Sequence, residues 1–195
     1  MHLTNDYYYF IESLDKKTCD KIIKLGGKEF NEAVVGHGGE PELVDEKLRI
    51  CKVAWTGDQW LYDLIWPYML EANDLAGWRY DITGAEEIQI GKYEEGGFYD
   101  FHKDGKSDNF GAYNTPKNKI TDGNIRKLSM SILLNDDYEG GNFQFAKVNE
   151  EIHTPNYNKL GSVIVFPSFM SHRVEAVTKG IRHSLVTWFV GPPFK

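Results

Sequence analysis

The amino-acid sequence predicts a mainly β protein, a sandwich or jelly roll, with N-terminal helices packed on it as a buttress. Three observations predict it. Beyond Gly84 the chain runs through short segments rich in Val, Ile, Tyr, Phe and Trp, each bounded by turn residues. No long helical pattern separates them, which argues against strand–helix alternation. The two stretches that do carry helical spacing both precede residue 80. The 195 residues suit one domain, with residues 1–80 as helical support and residues 84–192 as the β core.

Taken in order, the opening MHLTNDYYYFIESLD has no basic segment and only a short apolar run, Tyr7 to Ile11, flanked by acids, so it does not read as a signal peptide. Asp15 to Phe30 carries Cys19, Ile22, Ile23 and Leu25 at helical positions, with Gly26-Gly27 interrupting or ending the helix. Lys47 to Trp55 reads as a strand. A stronger helix is expected over Asp58 to Ala76, where Trp60, Leu61, Leu64, Ile65, Tyr68, Met69 and Ala72 recur at helical spacing and Pro67 can kink it. The β segments follow as EEIQIGKY, GFYDFH, KLSMSILL, NFQFAKV, SVIVFP and HSLVTWFV. Between the second and third of these lies Gly105 to Asn124, rich in Gly, Asn, Asp, Lys and Thr. Irregular loops of that length in a compact domain are usually functional, and this one reads as a lid with Tyr113 near its middle.

Composition bounds the function. Hydrophobic residues at 41% and charged residues at 26% describe a globular chain rather than a disordered one. A formal charge of -7 disfavours nucleic acid as a partner, because a phosphate backbone would be repelled. Cys19 and Cys51 are too few for a disulfide framework and lack paired zinc-site spacing, so they read as reduced thiols. No segment approaches the ~20 apolar residues of a bilayer span. The expectation is a soluble cytoplasmic protein with no membrane partner.

In FYDFHKDG, His102 and Asp104 are two residues apart, so on a strand their side chains project to one face. A third ligand is available in His172, just after the run SVIVFP and a Pro-Ser turn. Two imidazoles and one carboxylate make a facial triad that leaves three adjacent positions open, as an iron(II) oxygenase requires. Zinc could use the same ligands, although a helical HExxH pattern is absent. Arg182 lies ten residues after His172, and Tyr93 nine residues before His102. A dicarboxylate held by one end on iron needs a cation and a hydroxyl for its far carboxylate, and a guanidinium fork and a phenol can supply them.

Over roughly Glu86 to Pro192 the chain resembles the prolyl 4-hydroxylase group of the 2-oxoglutarate oxygenases, through YEEGGFYDFHKD, KLSMSILLND, YEGGNFQF and GSVIVFPSFMSHRVEAVTKGIRHSLVTWFVGP in that order. The family pattern of a tyrosine, HxD, a distal histidine and then a basic residue is filled by Tyr93, His102, Asp104, His172 and Arg182. The resemblance implies a double-stranded β-helix, or distorted jelly roll. It implies iron(II) on the triad, 2-oxoglutarate as co-substrate held by Tyr93 and Arg182, dioxygen, and ascorbate as reductant. The reaction implied is oxidative decarboxylation of 2-oxoglutarate to succinate and carbon dioxide, coupled to hydroxylation of an unactivated C–H. Arg126 and Trp188 match positions that line the target-proline pocket in prolyl hydroxylases, and Tyr113 on the lid joins them as a substrate residue. The implied partner is a proline-containing peptide or protein. Leu133 departs from relatives that place a co-substrate-binding tyrosine there. Two readings stay open beside this one: hydroxylation of a free amino acid or other small molecule, and a non-catalytic jelly-roll binding module. Nucleic-acid demethylases share HxD and a distal histidine, but the acidic balance argues against them.

Overall fold

In the computed structural model, which describes residues 5–27, 29–35, 43–105, 110–146 and 151–195, the chain opens with a short strand β1 (Tyr8–Phe10) and then helix α1 (Lys16–Gly26). Asp15 starts α1 by accepting a 2.7 Å hydrogen bond from the Thr18 N–H, satisfying one of the helix's unpaired donors. The helix stops at the glycine pair, where Gly27 takes a positive φ of 47°. The predicted extension to Phe30 is therefore not helical; residue 28 lies outside the described residues. Strands β2 (Asn31–Glu32), β3 (Arg49–Ile50) and β4 (Lys52–Thr56) precede α2 (Gln59–Leu75), which continues through Pro67.

The remaining strands are β5 (Gly84–Ala85), β6 (Ile88–Tyr93), β7 (Phe98–His102), β8 (Ile125–Leu133), β9 (Glu139–Gly140), β10 (Phe143–Ala146), β11 (Ile152–His153), β12 (Val163–Pro167), β13 (His172–Val174), β14 (Val177–Lys179) and β15 (Arg182–Gly191). They form a large sheet in the order β1-β12-β8-β15-β6-β4-β2, with β5 on β15, a smaller one in the order β11-β10-β13-β7-β3, and a two-stranded ribbon of β14 and β9. All recorded strand pairings are antiparallel. Successive strands alternate between the two sheets, β6 in the large one, β7 in the small, β8 in the large, β10 in the small, which is the winding of a double-stranded β-helix. The single strand read over Lys47 to Trp55 is two: β3 pairs with β7 in the small sheet and β4 with β6 in the large, the chain crossing between sheets at Cys51. Residues 147 and 148 of the predicted NFQFAKV strand lie outside the described residues.

The period-2 geometry of strands divides the core. On β8, Leu128, Met130 and Ile132 face the helices, and Ile88 and Ile90 of β6 and Leu185 and Phe189 of β15 do the same. They bury Ile22 of α1 and Leu61, Ile65 and Met69 of α2, each fully sequestered and each contributing roughly 1.5–3 kcal/mol by removal from water. The alternate residues face the smaller sheet. Val53, Tyr93, Leu133, Ile164 and Phe166 meet Phe143, Phe145 and Val174 there, while Ser131, Arg182, Ser184, Val186 and Trp188 line a cavity between the sheets. No helix among the described residues is long and apolar enough to cross a membrane.

Candidate metal centre

His102 ends β7 and His172 opens β13, and the two are direct partners across the ladder. Between that pair and the next, Val174 with Tyr99, β7 spends one residue more than β13, a bulge. The extra residue lets Tyr99 and His102, three apart in sequence, share the inner face, with their rings stacked at 3.5 Å and 10°. Each histidine uses its Nδ1 to donate to a nearby carbonyl, His102 to Asp100 at 2.8 Å and His172 to Met170 at 2.9 Å. A carbonyl can only accept, so both Nε2 atoms keep their lone pairs for a metal.

Asp104 was expected on the same strand as His102, but β7 has already ended. The carboxylate arrives because the chain turns past the strand, where the Asp104 N–H donates to the Ser168 carbonyl at 2.9 Å. Ser129 then donates to Asp104 Oδ2 at 2.6 Å, with Ser168 Oγ 3.0 Å behind it. The result is a cluster of three ligand atoms within 4.8 Å of one another, with His102 Nε2 at 3.8 Å and His172 Nε2 at 3.5 Å from the carboxylate. Asp104 and His172 are 6% and 5% exposed.

Electrostatics keep the donors in the ligating state. Burial, followed by the neighbouring His172, pushes the His102 imidazole down to about 3, so it stays neutral. Burial alone would raise Asp104, but His172, His102, Arg126 and the Ser129 hydroxyl outweigh it and hold the carboxyl below its ordinary range.

The triad opens on a cavity of about 480 Å³, the size of a small-molecule site. Arg182 and Tyr93, cross-strand partners on β15 and β6, line it together. Arg182 is 1% exposed and donates to Ser184 Oγ at 3.1 Å, while its Nε has no partner and no carboxylate pairs with it among the described residues. A buried cation without a counter-ion fits an anionic ligand. Burial raises the Tyr93 phenol, so it remains a proton donor. Leu133 is buried in the core and does not reach the cavity, whereas Ser131, two residues earlier on β8, lines it and accepts a hydrogen bond from the Tyr157 hydroxyl at 3.1 Å.

Arg126, Trp188 and Tyr113 line the same cavity, Trp188 six residues along β15 from Arg182. The Arg126 guanidinium lies 3.8 Å over the Trp188 ring and 6.0 Å from that of Tyr113, and it is held in a bidentate pair by Glu86 at 2.7 Å on both arms. The Trp188 Nε1 is buried without a partner. Within the predicted lid, the Tyr113 N–H donates to Asn124 O and the Gly123 N–H to Tyr113 O, both at 2.9 Å, while residues 106–109 lie outside the described ones. Sequence reasoning missed Ser129, Ser168, Tyr99, Glu86 and Arg49. All five sit inside segments read as strands or turns, Glu86 in EEIQIGKY, Tyr99 in GFYDFH, Ser129 in KLSMSILL, Ser168 in the Pro-Ser turn and Arg49 in Lys47 to Trp55, but nothing in those segments marked them as site residues.

The model of the 2OG-Fe(II) oxygenase superfamily matches residues 88–190, which contain all five residues Tyr93, His102, Asp104, His172 and Arg182. Among curated proteins, the chain is 34% identical over 101 residues to a PKHD-type hydroxylase of Synechococcus sp. (strain CC9311), covering 51% of this chain and 39% of that protein. It is 38% identical over 72 residues to prolyl 3-hydroxylase 2 of Homo sapiens, covering 35% and 10%. The chain thus spans well under half the length of the curated relatives it matches. Among solved structures, a Trichoplax adhaerens prolyl hydroxylase in complex with a hypoxia inducible factor peptide superposes with a TM-score of 0.73 at 16% identity, covering 95% of this chain and 84% of that one. A Pseudomonas putida prolyl-4-hydroxylase gives 0.67 at 18%, covering 95% and 92%. At such identities these likenesses show the fold.

Proposed function

Because the chain belongs to the 2OG-Fe(II) oxygenase superfamily, we propose that it is an iron(II)- and 2-oxoglutarate-dependent oxygenase that hydroxylates a prolyl group in a peptide or protein. The observation that carries the reading is the meeting, in one cavity, of the buried His102, Asp104 and His172 cluster with an Arg182 that lacks a counter-ion. Two imidazoles and a carboxylate fit iron(II), and the orphaned guanidinium fits the far carboxylate of a dicarboxylic acid. Iron(II), with 2-oxoglutarate and dioxygen, supplies the oxidising power to place a hydroxyl on an unactivated C–H.

The chain's residues supply position. Ser129 fixes the carboxylate, the carbonyls of Asp100 and Met170 fix the imidazoles, and Ser184 steadies Arg182. Arg126, already neutralised by Glu86, offers a flat polar plate on Trp188 rather than a free charge. That plate, a guanidinium lying flat on an indole ring, suits the apolar ring of a prolyl group in a peptide. Likeness to prolyl hydroxylases supports the same substrate. A second reading, a small carboxylic acid as substrate, is favoured by one observation: another buried arginine without a carboxylate partner, Arg49, lines the cavity.

Anaerobic addition of iron(II) and 2-oxoglutarate should develop a metal-to-ligand charge-transfer band, and its absence would sink the oxygenase assignment. Under air, mass spectrometry of proline-containing peptides should show a gain of one oxygen on proline, with magnetic resonance placing it on a ring carbon. His102→Ala and Asp104→Ala should abolish both this and substrate-dependent succinate formation. Oxygen gained on other residues, and never on proline, would refute the prolyl assignment alone.

A further inference from the structure

Arg49 lies on β3, directly across from Tyr99 on β7, and is 8% exposed while lining the cavity. Its Nε donates to Cys51 Sγ at 2.9 Å and its Nη2 to Gln89 Oε1 at 2.7 Å. Its guanidinium sits 4.5 Å over the Tyr99 ring, which is itself stacked on the metal ligand His102. Nη1 makes no hydrogen bond among the described residues.

None of these neighbours is an anion. No carboxylate lies within ion-pair distance of Arg49 among the described residues. Burial pushes the Cys51 thiol up, so it stays uncharged, and burial likewise raises the Tyr99 phenol to about 12. Three arginines and the exposed Lys103 line the cavity, and of the arginines Arg49 is the one left without an anionic partner. Arg126 is matched by Glu86. In the reading above, Arg182 is matched by one carboxylate of 2-oxoglutarate, and a divalent metal by Asp104 and the other. One buried positive charge is left over, and it is Arg49. An uncompensated buried guanidinium is costly, whereas a fork held by Cys51 and Gln89, with Nη1 unbonded among the described residues, is ready to take a carboxylate.

We infer that Arg49, positioned by Gln89 and Tyr99, is the carboxylate-binding subsite for the substrate to be hydroxylated. The inference rests on the oxygenase reading and adds to it a substrate class: the prolyl group comes with a negative charge close by. Two sources share that chemistry, an α-carboxylate on the proline itself or an acidic side chain beside it.

The test is calorimetric titration, under anaerobic conditions, of the iron(II)- and 2-oxoglutarate-loaded protein with three matched pairs. These are L-proline against L-prolinamide, acetyl-Gly-Pro against its amide, and acetyl-Asp-Pro-Gly-amide against acetyl-Asn-Pro-Gly-amide. In at least one pair the acid should bind tenfold or more tightly than its neutral partner, and the pair that discriminates identifies the source of the charge. Arg49→Gln should erase the preference without changing the affinity for 2-oxoglutarate, and Arg49→Lys, which keeps the charge but loses the fork, should retain part of it. Acid and neutral partner binding alike in every pair, or no binding of any, overturns the subsite. So does a preference that survives in Arg49→Gln. Loss of 2-oxoglutarate affinity in Arg49→Gln would assign the residue to the co-substrate instead. If Arg49→Gln does not fold, Arg49→Lys decides: an undiminished preference or weakened 2-oxoglutarate binding overturns the subsite. Failure of the oxygenase reading shows separately, as a charge-transfer band that never forms in the unmodified protein.

Discussion

Replacing Ser129 by alanine removes a single hydroxyl and leaves the β8 backbone and the Cβ in place. That hydroxyl donates to Asp104 Oδ2 at 2.6 Å, and Ser129 is 1% exposed. A hydrogen bond to a buried charge is worth about 1.5–3 kcal/mol. The bond aims the one anionic ligand of the cluster, so most of that loss should fall on the metal-bound state, where outer-shell partners typically contribute about 10- to 100-fold in affinity. The expectation for Ser129→Ala is therefore Mn(II) or Fe(II) binding weakened about 10- to 100-fold, measured by competition with a chelator of known affinity. Ser168→Ala should cost less, because its hydroxyl reaches Asp104 only through Ser129, whereas its backbone carbonyl still accepts from the Asp104 N–H. Thermal melting of the metal-free proteins provides the control, since a purely structural role would lower both equally. Metal affinity in Ser129→Ala within twofold of the parent would refute the argument.

Three further outcomes follow from the geometry. Arg182→Ala should raise the 2-oxoglutarate requirement by about 30-fold or more, because a buried carboxylate loses its counter-ion; an unchanged requirement in steady-state assays would move the co-substrate elsewhere. In the metal-free protein, folded His102 stays neutral down to about 3, while the unfolded imidazole protonates near its ordinary 6.5. Stability should thus fall as pH drops below about 6.5, and Asp104, also depressed, extends the loss in the same direction below 3.8. Melting temperatures of the apo protein between pH 7 and 5 should show a shallower fall in His102→Gln; equal slopes would contradict the linkage. Glu86→Gln leaves the Arg126 guanidinium without its carboxylate and should cost roughly 2–3 kcal/mol in chemical denaturation, with a loss under about 0.5 kcal/mol placing the pair among inconsequential surface bridges.

Much of the site was legible because its signals are local. HxD spacing, a distal histidine after a buried strand, and a basic residue opening the last strand are all readable without knowing which strands pair. The helices were legible for the same reason, since their apolar spacing and the Gly26-Gly27 stop act within a few residues. The features that escaped are made by contacts between distant segments. Nothing local in LRICKVAW announces that the chain changes sheets at Cys51 and so turns Arg49 inward. The bulge in β7 depends on a mismatch with β13, seventy residues away, and it brings Tyr99 onto His102. Ser129 looks like any small residue on an alternating strand until Asp104, 25 residues earlier, comes to rest against it.

The placement of His102 directly opposite His172 also ties metal retention to the sheet. An ion held by both rings acts as a cross-strand staple at the ends of β7 and β13, where few backbone bonds hold the smaller sheet together. Removing the ion would leave those strand ends with one tie fewer, so amide exchange there should rise in the metal-free protein. In this arrangement an ion would reinforce the two strand ends that supply its imidazole ligands.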